Sequence, residues 1–398
     1  MKKRFLLFIS IIWLLTGCSS SPEVISEESY KEDKQENLSE QIQNINITNG
    51  KELLFGEDKY CNIIFFDSEQ LIFVKEGDVN KELDVVNSIF YHYDFTSGKT
   101  AFLTEVNNVS SSTQDIAILD NRIYDPLCIS TEEGLIEYIL EISLDDFSSR
   151  LVRSSETNSK VTRLEATENA IYRYYQKDLS TDKTDFFIDN IGTLDTTENI
   201  INKRYQNSSG EILVSTCLYE DKIYTYNVIC GENEQYLIKE YSLEGDLLKN
   251  YPIDLTDFLK LKEVDDTDAV YRIFREGDYI ILNTLNNRIK IYKISKDQLF
   301  DVETLPEFEK LLGARVIENY GNKSSYVYFQ DGTGNNMLYV FDTKSGEISK
   351  INLIEKESLS CYILRDEDGN IIVIAEYADN RYRYYLIGVS DIIEVLKK

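Results

Sequence analysis

FYHYDFTSGK, residues 90–99, reads as a strand of alternating aromatic and polar residues running into a tight turn. The same unit recurs along the chain: YILEISLDD from Tyr138, FFIDNIGTLD from Phe186, IKEYSLEGD from Ile238, IKIYKISKDQ from Ile289, YVFDTKSGE from Tyr339 and YYLIGVSD from Tyr384. Aligned on the first turn residue, the marks are Asp94, Ser143, Asn190, Ser242, Ser295, Asp342 and Val389, at steps of 49, 47, 52, 53, 47 and 47 residues. So regular a spacing points to one structural unit used repeatedly.

Each unit holds two further strand-like runs before the marked one. GEILVSTCLYED precedes KIYTYNVICGENE, and SCYILRDEDG precedes NIIVIAEYADN. Asp-Gly pairs at 331–332 and 368–369 mark hairpin turns. The run after the marked turn (KTAFLTEV, DLLKNYPI, EISKINL) completes a four-stranded antiparallel sheet. One such sheet cannot cover its own apolar faces, so the units must stack around an axis. The expected fold is all-β: a seven-bladed β-propeller of four-stranded blades over residues 49–398. A six-bladed propeller with a degenerate terminal unit is the alternative, and a two-domain β protein comes third. Helical periodicity is confined to Thr256–Val264, Glu303–Leu312 and, more weakly, Ser390–Lys398.

The turns DFTSGK (94–99) and DTKSGE (342–347) resemble the D-x-x-[ST]-G turn of quinoprotein-like and WD-like propellers. The chain is similar in architecture to bacterial lipoproteins with β-propeller heads. The only tryptophan, Trp13, precedes the repeats, so the docking tryptophans of quinoprotein blades are missing. The WD dipeptide, the sialidase Asp box and kelch Gly-Gly pairs are missing as well. No named enzyme family follows from the resemblance.

The N-terminus carries the address. Lys2, Lys3 and Arg4 precede an apolar run from Phe5 to Leu15, too short for a spanning helix, which needs roughly 20 apolar residues. The run ends in Leu15-Thr16-Gly17-Cys18, which resembles the bacterial lipobox. That resemblance implies a signal peptide over 1–17, cleavage before Cys18 and a diacylglyceryl (palmitate-type) thioether on its thiol. More than one acyl chain holds a protein stably on a bilayer. Residues 18–48 are polar, acidic and poor in aromatics, and so read as a disordered tether. Such a tether reaches roughly 30 Å. The expected location is the outer face of the cell membrane.

The formal charge of −28 becomes −31 without Lys2, Lys3 and Arg4 (−28 − 3). Such a surface repels nucleic acid and anionic lipid heads. Beyond Cys18, Cys61, Cys128, Cys217, Cys230 and Cys361 form no C-x-x-C and read mostly as small buried hydrophobes, with a Cys217–Cys230 pairing left open. His92 is the only histidine, which excludes a multi-histidine metal site; alternation in FYHYDF makes it a strand residue facing a neighbour. RDEDGNI (365–371) lacks the Gly and Glu of a calcium loop and reads as a hairpin turn. Tyrosines at alternate positions, as in YTYN and YRYY, are explained by a half-buried sheet face. No cofactor, metal or catalytic constellation is indicated.

One binding pattern remains. The first strand of each blade lines the channel of a propeller. The polar residue ahead of each such run is Asn62, Asp115, Arg163, Glu211, Arg272, Arg315 or Ser360. Brought to one mouth, these seven form a ring with three arginines, suited to a carboxylate or phosphate. Arg275 and Arg365 add charge deeper or at the opposite mouth. The competing reading pairs the arginines with Asp115 and Glu211 and leaves no site. The expected function is a membrane-anchored module that binds or scaffolds an envelope protein, glycan or anionic small molecule. The alternative is a carboxylate-dependent enzyme acting on an envelope glycan or peptide. The anchor is tested directly: Cys18→Ala should release the protein from membranes or leave it uncleaved, and mass spectrometry of the parent N-terminus should find a lipidated Cys18.

Overall fold

The computed structural model describes residues 42–56, 59–81, 84–112, 116–153, 160–167, 170–176, 186–191, 201–204, 211–231, 234–261, 266–317, 324–333, 336–355 and 358–397. Strands dominate, grouped four at a time into antiparallel sheets in chain order. The first group is Asn62–Phe66, Gln70–Asn80, Val85–Asp94 and Lys99–Ser112; the second is Ala117–Leu119, Arg122–Thr131, Gly134–Ser143 and Ser149–Arg153. These two are joined, because Lys99–Ser112 runs on and pairs Val109 with Ile129. The third comprises Lys160–Ala166, Ile171–Gln176, Phe186–Ile191 and Ile201–Arg204. Glu211–Tyr219, Lys222–Ile229, Gln235–Ser242 and Leu247–Ile253 form the fourth. Val270–Glu276, Tyr279–Thr284, Ile289–Ser295 and Gln298–Asp301 form the fifth.

The last two sheets borrow strands from the other end of the chain. The sixth, Ala314–Val316, Tyr326–Asp331, Met337–Asp342 and Ile348–Ile354, gains Gln43–Asn46 as a parallel edge strand. The seventh has only three strands of its own, Ser358–Arg365, Ile371–Tyr377 and Tyr382–Ile387. Its fourth is Lys51–Leu53, antiparallel to the third. The chain therefore closes on itself by strand pairing between its N- and C-terminal parts.

Packing follows the same circular order. Each sheet alternates apolar residues onto both faces, and each face meets a neighbour. Separate buried clusters join first to second, second to third, third to fourth, fourth to fifth, fifth to sixth and sixth to seventh. A further cluster, with Ile372, Ile374 and Tyr384 against Leu53, Phe55, Phe73 and Tyr93, joins seventh to first. Backbone-to-side-chain hydrogen bonds also link neighbouring first strands: Leu218 N–H donates to Glu165 Oε2 at 2.8 Å, and Ile273 N–H to Ser215 Oγ at 3.1 Å. Fourth strands such as Ser149–Arg153 are largely exposed. First strands therefore crowd the axis and fourth strands form the periphery, which is a β-propeller.

The repeat marks land on equivalent places. Asp94, Ser143, Ser242, Ser295 and Asp342 each end the third strand of a sheet. Asn190 lies one residue short of that end, and Val389 opens the helix Val389–Leu396 two residues beyond it. The two D-x-x-S-G turns are built alike. Gly98 N–H donates to the Asp94 carbonyl at 2.9 Å and Gly346 N–H to the Asp342 carbonyl at 2.7 Å. Both glycines need positive φ (65° and 78°), where a Cβ is strained. The helical expectations shrink: 256–264 yields one turn, Thr256–Leu259, before the chain enters a short strand pair, and 303–312 yields a 3₁₀ turn, Pro306–Glu309. The C-terminal segment forms the longest helix among the described residues, because Ile392 is fully buried in the cluster between the sixth and seventh sheets. No helix among the described residues is long and apolar enough to cross a membrane.

Closure rests heavily on one aromatic residue. Phe55, 3% exposed, meets Phe73, Tyr93 and Tyr384 at ring-centroid distances of 4.7, 5.4 and 4.5 Å. Phe55→Ala should cost about 3–5 kcal/mol of stability in denaturant titration, against about 0.5 kcal/mol or less for an exposed control such as Leu54→Ala.

Candidate functional site

Strand register decides which of the sequence-derived residues share a level. Arg272 pairs with Asn283, Arg315 with Gln330 and Ser360 with Glu376. In every case the partner is the penultimate residue of the second strand. All three pairs stand on the face turned toward the next sheet. Arg272 lies over the Phe274 ring at 5.4 Å, on the side packed against the sixth sheet. Arg315 Nη2 donates to Gln330 Oε1 at 2.7 Å, and Gln330 Nε2 donates to the Cys361 carbonyl of the seventh sheet. Ser360 Oγ donates to Glu376 Oε2 at 2.8 Å. Three consecutive sheets thus carry a polar pair at one level, with Asn283 and Gln330 almost fully buried.

The rest of the ring is reassigned or lies elsewhere. Glu211 does not join this level. A β-bulge between Leu213 and Ser215 shifts the register, and Ser215, opposite Tyr226, takes the position equivalent to Arg272. Glu211 pairs with Ile229 nearer the strand start and is bound by Lys239 in a mostly buried ion pair. Asn62, opposite Val74, keeps the face toward the second sheet. Arg163 sits after a bulge, opposite Tyr174, and its side chain is outside the described residues; so is Asp115 altogether. The sequence cue, a polar residue ahead of an apolar run, missed Ser215 because a bulge adds a residue without changing composition. Similar bulges occur between Val270 and Arg272 and between Ser358 and Ser360, and they leave Tyr271 and Leu359 37% and 66% exposed on first strands.

The opposite ends of the first strands carry a second charged group. Glu276 and Arg365 each close the hairpin to their second strand, opposite Tyr279 and Ile371. Arg365 is 3% exposed and lies over Tyr328 at 5.2 Å. Arg275 stacks between Tyr219 and Tyr224 at 5.2 and 5.4 Å. Burial pushes the Glu276 carboxyl up to about 7, opposed by the Arg365 and Arg275 charges. Arg275 and Arg365 therefore belong at the mouth opposite Arg272 and Arg315. Asp366, raised by burial, is bound within its own turn by the Asp368 and Asn370 N–H groups at 3.0 and 2.8 Å. That is a hairpin turn and not a calcium loop.

Other singled-out residues are structural. His92 stacks on Phe147 at 3.9 Å and shares a 3.0 Å hydrogen bond with Gln70; burial lowers its basicity, against the Asp94 and Asp67 charges. Cys61, Cys128, Cys217 and Cys361 are buried, whereas Cys230 is an exposed free thiol and does not pair with Cys217. No group of three or more His, Cys, Asp or Glu side chains among the described residues is placed to hold a metal.

No protein-family model and no curated protein matches the chain. Solved structures do. The β-propeller domain of the Trilobed protease from Pyrococcus furiosus aligns at TM-score 0.50 and 15% identity, covering 83% of this chain and 93% of that one. An acylaminoacyl peptidase from Pyrococcus horikoshii aligns at 0.51 and 14%, covering 89% and 56%, and a puromycin hydrolase at 0.53 and 9%, covering 89% and 55%. The chain thus spans little more than half the length of these two enzymes. At such identities the likeness defines the fold, a β-propeller, and nothing of the chemistry.

The buried acids set a pH dependence. Burial alone raises the Asp125 carboxyl to about 8, and Glu276 lies near 7. As pH rises from about 4 to 8 the unfolded chain releases these protons first, so stability falls across that window and levels off above it. Denaturation midpoints should drop between pH 5 and pH 8. The drop should be smaller in Glu276→Gln and in Asp125→Asn than in the parent.

Proposed function

We propose that this chain is a lipid-anchored, extracytoplasmic β-propeller of seven blades that binds an anionic group of a cell-envelope component and performs no catalysis. The observation that carries the reading is the common level of Arg272–Asn283, Arg315–Gln330 and Ser360–Glu376 on consecutive sheets. The hydrogen bond to neutral Gln330 orients the Arg315 guanidinium without neutralising it. Two cations at one channel mouth, inside a shell of net charge −28, suit a carboxylate or phosphate offered by a glycan, a protein or a small molecule. The lipobox-like LTGC and the acidic tether support a lipid-anchored location within roughly 30 Å of a membrane surface.

A second reading, an enzyme acting on an envelope glycan or peptide, draws on Glu276, whose carboxyl titrates near neutrality beside two arginines at the other mouth. Two-carboxylate hydrolysis requires a partner acid roughly 5–10 Å away. The second carboxylate at that mouth, Asp366, is held within its own turn by the Asp368 and Asn370 N–H groups. Arg275 and Arg365 favour the ionised form of Glu276, which weakens its use as a general acid.

Detergent-solubilised chain should retain an anionic envelope component, and its affinity should fall as salt rises through 0.15 M, where the Debye length is about 8 Å. Arg272→Ala or Arg315→Ala should each weaken binding by about 1.5–3 kcal/mol, and Glu276→Gln should leave it unchanged. Retention indifferent to both arginines would reject the reading, and turnover abolished by Glu276→Gln would replace it with the enzyme.

A further inference from the structure

On the other face of the seventh sheet, turned toward the first, lies a cluster of opposite chemistry. Ser360, Glu376 and Tyr382 stand in one cross-strand row, Ser360 opposite Glu376 and Glu376 opposite Tyr382. Glu376 accepts hydrogen bonds on both oxygens, from Ser360 Oγ at 2.8 Å and from Tyr382 O–H at 3.2 Å. Among the described residues no lysine or arginine pairs with it. The nearest basic residues in sequence, Arg381 and Arg383, lie over Tyr377 at 5.7 and 5.5 Å, a ring on the face toward the sixth sheet, and Arg381 is paired with Asp379. Tyr60, in the segment leading into the first sheet, meets Tyr382 edge-on at 5.5 Å and 68°. Tyr362 shares the Ser360 face, two residues along its strand. Burial and then the neighbouring Tyr362 raise the Tyr60 hydroxyl, and burial, then the Glu376 charge and hydrogen bond, raise that of Tyr382.

Large side chains in this position would normally be covered. Tyr60 is 54% exposed and Tyr362 41%, although the apolar cluster between the seventh and first sheets continues directly beneath them. A carboxylate with no basic partner among the described residues, bonded by Tyr382, with Tyr60 against that ring and Tyr362 on the same sheet face, is the chemistry that receives a cation. The ring faces attract it through their quadrupoles, and the carboxylate supplies the charge. The surrounding net charge of −28 draws basic segments toward the surface.

We propose that the Tyr60–Tyr362–Tyr382–Glu376 cluster is a receptor for a lysine ammonium or arginine guanidinium presented by a basic segment of a protein partner. It shares the Ser360–Glu376 pair with the level described above but lies on the opposite side of the seventh sheet from Arg315, and it takes a ligand of opposite charge without using either arginine. The cation enters between the open rings of Tyr60 and Tyr362 and ion-pairs with Glu376, while Ser360 and Tyr382 keep the carboxylate oriented.

Calorimetry on the full chain with tetralysine as probe, and tetramethylammonium as a second cation, tests this. Tetralysine should bind at low salt. Glu376→Gln should weaken it tenfold or more, Tyr362→Ala two- to fivefold, and Tyr362→Phe should keep parental affinity because the ring face is retained. Arg272→Ala should not weaken it, which separates this site from the anionic one. Tyr60→Ala, at a more exposed position, repeats the aromatic test should Tyr362→Ala fail to fold. Three results overturn the proposal: no tetralysine binding, binding indifferent to Glu376→Gln and to the loss of the rings, or tetramethylammonium binding more tightly than tetralysine. The second would assign the attraction to the acidic shell, and the third would make the site one for a quaternary ammonium.

Discussion

Face-to-face burial of apolar side chains between consecutive sheets is the constraint on which everything else depends. Each sheet presents apolar residues on both faces, so a sheet at an open end would expose one of them to water. The ring removes that exposure by joining the seventh sheet to the first through Ile372, Ile374 and Tyr384 against Leu53, Phe55 and Phe73. Strand pairing reinforces the join, because Lys51–Leu53 completes the seventh sheet and Gln43–Asn46 covers the edge of the sixth. Tyr384 contributes twice more, accepting from the Cys61 N–H at 2.7 Å and donating to the Lys59 carbonyl at 2.9 Å.

Closure also explains where the charges lie. First strands are held at the axis by their neighbours, and their ends define two mouths of different character. One carries Arg272, Arg315 and the Ser360–Glu376 pair; the other carries Arg275, Glu276, Arg365 and Asp366. Ionic groups so near the core persist only with compensation. Gln330 bridges the sixth and seventh sheets through Arg315 and the Cys361 carbonyl. Aromatic rings cover the faces of Arg272, Arg275 and Arg365. Burial raises the Glu276 carboxyl to about 7 despite the opposing Arg365 and Arg275 charges.

Much of this was readable from the amino-acid order. Alternation and turn residues recur at about forty-nine residues, and the D-x-x-S-G glycines mark turns that require positive φ. Those signals are local, written within a few residues of one another. They determined the strands, the grouping by four, the equivalence of Asp94 with Asp342 and the hairpin character of RDEDGNI. The lipobox-like LTGC is equally local. The three arginines were legible as polar residues on first strands.

Three things were decided only by the tertiary structure. The completion of the seventh sheet by Lys51–Leu53 joins segments more than 300 residues apart, and no local pattern encodes a partner at that distance. The level of each first-strand residue depends on bulges, which is why Ser215 and not Glu211 stands level with Arg272. The sense of each exposed tyrosine was hidden too, since alternation assigns a residue to a face without saying what lies opposite. Tyr60 meets Tyr382, the ring bonded to Glu376, only because the closing ring lays the segment before the first sheet against the seventh. Periodicity along the chain determined the unit, and the packing of one unit on the next determined which side chains meet.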